Sequence, residues 1–87
     1  MSNTTAIELV RKLEQAAFAV CEARSRYYSA NAEAWLREQK ADGKPDTHVD
    51  SHLYKRAQAD LERAIASRVA AEDALEEVRA ALKSILS

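Results

Sequence analysis

The sequence predicts an all-α protein folded as a helical hairpin, and three observations carry that prediction. Ten positions in the second half, Tyr54, Ala57, Leu61, Ala64, Arg68, Ala71, Leu75, Val78, Leu82 and Ile85, alternate steps of three and four without interruption, which is the spacing of a helical packing seam. The only glycine and the only proline, Gly43 and Pro45, stand together near the middle of the chain, where they end one helix before the next begins. Alanine supplies 18 of the 87 residues, which favours helix and lets two helix backbones approach closely.

The first helix is expected over about residues 5–41. Thr5 and Glu8 have the T-x-x-E spacing of a capping box, in which a hydroxyl and a carboxylate satisfy backbone donors that the first turn leaves unpaired. No Gly or Pro interrupts the chain from there to Ala41. The turn is expected over 42–47, with Gly43 in the left-handed conformation and Pro45 preventing continuation. Helix 2 restarts at Asp46 or Thr47, where Thr47 and Asp50 form a second T-x-x-D box, and occupies about 48–86. Each helix is then about 37 residues and about 55 Å long. So short a connection folds the helices back antiparallel, making residues 1–87 one helical-hairpin domain.

A seam as narrow as that of helix 2 needs a neighbour, and helix 1 offers Ala6, Val10, Leu13, Ala17, Val20, Arg24, Tyr27, Asn31 and Ala34 at the same spacing. Folding about the turn pairs Leu13 with Val78, Val20 with Ala71, Tyr27 with Ala64 and Ala34 with Ala57. Large meets small in the last three pairs, as close interdigitation requires.

Helix 1 is apolar over more of its circumference than one neighbour covers. Phe18, Cys21, Tyr28, Ala32 and Trp35 make a second stripe about 100° from the first, and Ile65 and Val69 lie outside the main seam of helix 2. A two-helix hairpin has no third layer to cover such a surface, so these seven residues are the expected interface with another subunit or a partner. The simplest oligomer is a homodimer forming a four-helix bundle. Self-association also suits a chain too short to bury much of its own surface.

The seams also carry Arg24 and Arg68, near one layer of the hairpin. A buried guanidinium requires a carboxylate, and Glu22, Glu72 or a partner's acid are the candidates. Both side chains can instead reach solvent along their aliphatic stems and make surface ion pairs. The functional alternative is a notch formed by Arg24, Arg68, Tyr27 and Asn31, where paired arginines hold a partner's carboxylate or a nucleotide phosphate.

Equipment for catalysis is sparse. His48-Val-Asp-Ser-His52 places two imidazoles one helical turn apart, but Val49 stands where a zinc hydrolase has its general base, and Asp50 is accounted for as a capping residue. Cys21 lies about 40 Å along the rod from these histidines at ~1.5 Å per residue, so no base reaches it. It reads as a small apolar filler. With one glycine the chain has no phosphate-cradling loop. Neither an enzyme nor a bound metal or cofactor is expected.

Thirteen basic residues stand against fourteen acidic ones, a balance that argues against a dedicated nucleic-acid binder. A single cysteine fits a reducing compartment, and cytoplasmic location is the expectation. The longest apolar run, Ala16 to Cys21, is far short of the ~20 residues that cross a bilayer, and the start lacks a secretory signal.

In size, all-helical character and lack of catalytic groups the chain resembles the short helical-hairpin proteins with which bacteriophages block host regulators or defence systems. That resemblance implies a stoichiometric inhibitor of a target protein. Two other readings stand beside it. The chain is similar in topology to the dimeric plasmid copy-number hairpin that grips paired RNA loops, with Arg24, Arg26, Arg37, Lys40, Lys55 and Arg56 available for phosphates. It also fits an oligomer that sequesters a small anionic ligand, such as a nucleotide, near Arg24, Arg68 and Tyr27.

Overall fold

The computed structural model describes residues 3–87, with side chains from residue 5 onward. Two α-helices, α1 (Asn3–Ala41) and α2 (Val49–Leu86), pack against each other as a hairpin. The result is a rod of 63 × 15 × 14 Å.

The boundaries differ from expectation at both helix starts. Helix α1 reaches back to Asn3, so Thr5 lies inside it rather than capping it. Helix α2 begins later than Asp46 or Thr47, and its N-cap is His48. The imidazole Nδ1 accepts a 3.0 Å hydrogen bond from the Asp50 backbone N–H, the service a Ser or Asp side chain usually performs at this position. Asp46 and Thr47 are consumed by a tight turn closed by His48 N–H donating to the Pro45 carbonyl, 2.9 Å.

The connection is held by several small interactions. Gly43 adopts φ 75°, a left-handed conformation that an added Cβ would strain. The Lys44 N–H caps the Ala41 carbonyl at 3.0 Å. Ser51, the one buried polar residue among those described, donates its hydroxyl to the Pro45 carbonyl at 2.8 Å. Lys44 Nζ pairs with the Asp50 carboxylate, and that hydrogen bond holds the Asp50 carboxyl below the usual aspartate range, against the opposing effect of burial.

All ten expected seam positions of α2 are buried or half-buried. On α1 the seam is different. Ala6, Leu13, Val20, Tyr27 and Ala34 face α2 as expected, but the residues between them are Leu9, Ala16, Ala23 and Ala30, while Val10, Ala17, Arg24 and Asn31 are exposed. The helix is rotated by one position relative to the expected phase. This rotation keeps Arg24 and Asn31 in water and brings alanines against α2, which avoids burying a charge and an amide. The axial alignment also differs: the Tyr27 ring lies under Arg68, one turn further along α2 than Ala64.

The resulting core is thin. Val20 (3% exposed), Ala23, Ala34 and Ala57 are the buried apolar residues among those described. Three of the four are alanine, so close backbone approach substitutes for bulk.

Candidate functional site

Helical spacing and one ion pair define a flank shared by both helices. Arg24 Nε donates to Glu72 Oε1 at 3.2 Å across the hairpin, so the face of α1 that carries Arg24 and the face of α2 that carries Glu72 look to the same side. On α1, Cys21, Tyr28 and Ala32 are three or four residues from Arg24 or from one another, and Trp35 lies two turns beyond Tyr28. On α2, Ile65, Val69 and Glu72 are spaced by four and three. A shallow groove lined by Asn31, Trp35 and Glu38 of α1 and by Gln58 and Leu61 of α2 continues this side toward the turn.

The apolar residues on this flank are largely in water. Tyr28 is 65% exposed and Trp35 63%, with Val69 at 45% and Ile65 at 38%; Phe18, 66% exposed, stands six residues from Arg24 and so about 120° round α1 from it, on the side turned away from α2. Cys21 and Ala32 are exposed as well. None of the seven expected interface residues is fully covered by the hairpin itself. Two residues missed as interface candidates extend the stripe to the open end. Ile7 stands fourteen residues before Cys21, and Val10, assigned by pattern to the seam, lies beside it; both are exposed. The sevenfold series Ile7, Cys21, Tyr28, Trp35 was the available signal, interrupted at Glu14.

The opposite flank has another character. Ion pairs Glu22–Arg26 at 3.6 Å, Glu33–Arg37 at 2.8 Å and Asp60–Arg63 run along it within single helices. Such exposed pairs are worth ~0–1 kcal/mol each and chiefly keep that side solvated. These three ion pairs therefore line one flank, while Tyr28, Trp35, Ile65 and Val69 share the other with the Arg24–Glu72 pair.

The expected arginine notch takes an altered form. Arg24 is not a seam residue; its side chain is 57% exposed. Arg68 does occupy the seam, half-buried, with its guanidinium carbon 4.2 Å above the centre of the Tyr27 ring. Tyr27 in turn packs edge-inclined against Tyr28, centroids 5.4 Å apart. Glu72, named among the candidate acids, lies between both arginines, bonded to Arg24 and 3.9 Å from Arg68 Nε. Glu22 instead serves Arg26. The Arg68 Nε is buried with no hydrogen-bond acceptor. Asn31 is exposed on the flank, seven residues from Arg24.

Among the described residues, no group of three or more His, Cys, Asp or Glu side chains comes together in a way that could hold a metal ion. His48 is engaged at the α2 cap and His52 is exposed. Among the described residues, no helix is long and apolar enough to cross a membrane. The chain matches no protein-family model, no curated protein and no solved structure.

Proposed function

We propose that the protein acts by association rather than by chemistry: the hairpin pairs with a second copy into a homodimeric four-helix bundle, which binds and modulates a target protein in the cytoplasm. The observation that supports this reading is the aromatic flank, where Tyr28 and Trp35 stay about two-thirds exposed on the side that carries Ile65 and Val69, with Phe18 as exposed on the outer face of α1. Aromatic side chains carry ~150–250 Å² each, so leaving two of them in water on one side of a small rod, with a third on its outer face, is costly unless another surface covers them. The resemblance to phage hairpin inhibitors supports the target-binding half of the proposal.

Sedimentation at micromolar concentration tests the first half. The expected mass is twice 9.7 kDa, and the double substitution Tyr28→Ser, Trp35→Ser lowers it to that of one chain while leaving the helical circular dichroism intact. A strictly monomeric protein at high concentration removes self-association from the proposal. For the second half, a target retained from host lysate by the unaltered protein must bind the purified protein at a fixed stoichiometry; catalytic turnover of that target at substoichiometric amounts would contradict the reading.

A further inference from the structure

We infer that the Arg24–Glu72 flank docks on the same flank of a second copy about a two-fold axis parallel to the rod, so that both turns lie at one end of the dimer. This rests on the self-association proposed above and adds to it the surface, the symmetry and the register.

Area supports a second copy as the occupant. The chain exposes 6459 Å², whereas a compact folded protein of 9.7 kDa exposes about 5,100 Å², an excess of about 1,300 Å². A stable interface removes about 800 Å² or more from each partner. One long flank of the 63 Å rod supplies such an area, and an equally long rod covers it along its full length.

Charge selects the symmetry. Because Arg24 and Glu72 stand opposite each other in the hairpin, seven-residue steps along both helices set the other levels: Asn31 stands level with Ile65, and Val10 with Leu86. A two-fold axis along the rod lays each α1 flank on the partner's α2 flank at the same level. Arg24 then meets the partner's Glu72, and Glu72 meets the partner's Arg24, a closed ring of four alternating charges. Tyr28 falls against the partner's Val69 and the partner's Ile65, so the apolar centre is matched with an apolar centre. Glu14 falls level with the partner's Lys83. A two-fold axis perpendicular to the rod instead stacks α2 on α2. Centred at the Arg24–Glu72 level, it sets Arg24 and Glu72 each against its own copy, and centred at Val69 it sets Glu62 against the partner's Glu76; like charges so placed are disfavoured. An isologous interface must be self-complementary, and the parallel axis makes this flank so at the Arg24–Glu72 level and around Tyr28.

Two measurements test the arrangement. A nitroxide attached at Asp42→Cys in a Cys21→Ser background reports the separation of the two turns by dipolar electron paramagnetic resonance. Turns at one end give about 20–35 Å, from helices spaced ~8–10 Å apart plus the label arms. A dimer with a separation near the 63 Å rod length overturns the inferred symmetry and leaves self-association standing, whereas a monomer by sedimentation overturns self-association itself. Arg24→Glu and Glu72→Arg are each expected to weaken the dimer at least about tenfold, because each creates a ring of four like charges. An equimolar mixture of the two restores dimer, since the heterodimer sets the acidic pair of one chain against the basic pair of the other. A mixture no better associated than its components overturns the contact between Arg24 and the partner's Glu72.

Discussion

Replacing Arg68 with methionine is expected to stabilise the protein by about 1 kcal/mol, an uncommon direction for a substitution at a packing seam. The expectation follows from what surrounds the guanidinium. Its contact with the Tyr27 ring, 4.2 Å from the ring centre, is worth about 0.5–1 kcal/mol for a partly hydrated pair. The attraction to Glu72 at 3.9 Å, with side chains 31% and 39% exposed, adds at most about 0.5 kcal/mol. Against these stands the buried Nε with no acceptor, a donor whose lost hydration costs about 1–3 kcal/mol. Methionine keeps the apolar stem, contacts the tyrosine ring through its thioether and removes the orphaned donor. Glu72 is not stranded by the change, because Arg24 still holds it at 3.2 Å. Urea denaturation followed by circular dichroism, at one protein concentration for both variants, measures the difference. The accompanying rise in melting temperature is about 4–8 °C for a chain of this size. A loss of 1 kcal/mol or more on Arg68→Met would refute the reasoning and show that the guanidinium is better satisfied than its geometry implies.

The turn yields three further predictions. Gly43→Ala should cost about 1 kcal/mol through left-handed backbone strain alone, because nothing lies within 4 Å of the added Cβ; Gly43→Asn should cost less, and equal melting temperatures for Gly, Asn and Ala would contradict this. Ser51→Ala should cost about 1 kcal/mol by removing the hydroxyl bond to the Pro45 carbonyl, measurable by urea denaturation. The Asp50 carboxyl is held low by the Lys44 ammonium, so its contribution is complete above about pH 4 and is lost as pH falls through the lowered value. Melting curves between pH 5 and pH 2 should therefore fall less steeply for Asp50→Asn than for the unaltered protein, and parallel profiles would show that the pair contributes nothing to the folded state.

The two seams show what a sequence pattern can and cannot resolve. On α2, charged residues border the seam at Glu62, Arg63, Glu76 and Glu77, so only one phase keeps them in solvent, and all ten expected positions are at least half-buried. On α1 two adjacent stripes are both apolar, and Leu9 or Val10, Ala16 or Ala17 fit the spacing equally well. The decision falls to Arg24 and Asn31, which cost more to bury than Ala23 and Ala30. Weighing that cost picks the observed phase. The same ambiguity explains the arginine notch: once α1 turns by one position, Arg24 becomes a surface partner for Glu72 and only Arg68 stays in the seam. The chain reversal was legible because Gly43 and Pro45 leave no other reading. The His48 cap was not, since imidazole is an infrequent capping group and Thr47 next to it has the better propensity. As for the flank, composition showed that apolar residues lie outside both seams, but that the stripes of α1 and α2 converge on one side required the cross-helix ion pair.

Burial is distributed unevenly along the rod. Val20, Ala23, Ala34, Ser51 and Ala57 are its buried residues among those described, and none lies in the outer third remote from the turn. The molecule thus behaves as a pair of tongs, clasped at the bend and loose at the tips. Backbone amides near Ser51 and Ala57 should exchange with solvent most slowly, and those near Ile7 and Ile85 soonest, as local fraying demands far less free energy than melting the whole hairpin. Since the bend also has the shortest loop to close, folding is expected to start there, leaving the tips as the segments whose ordering another rod would most affect.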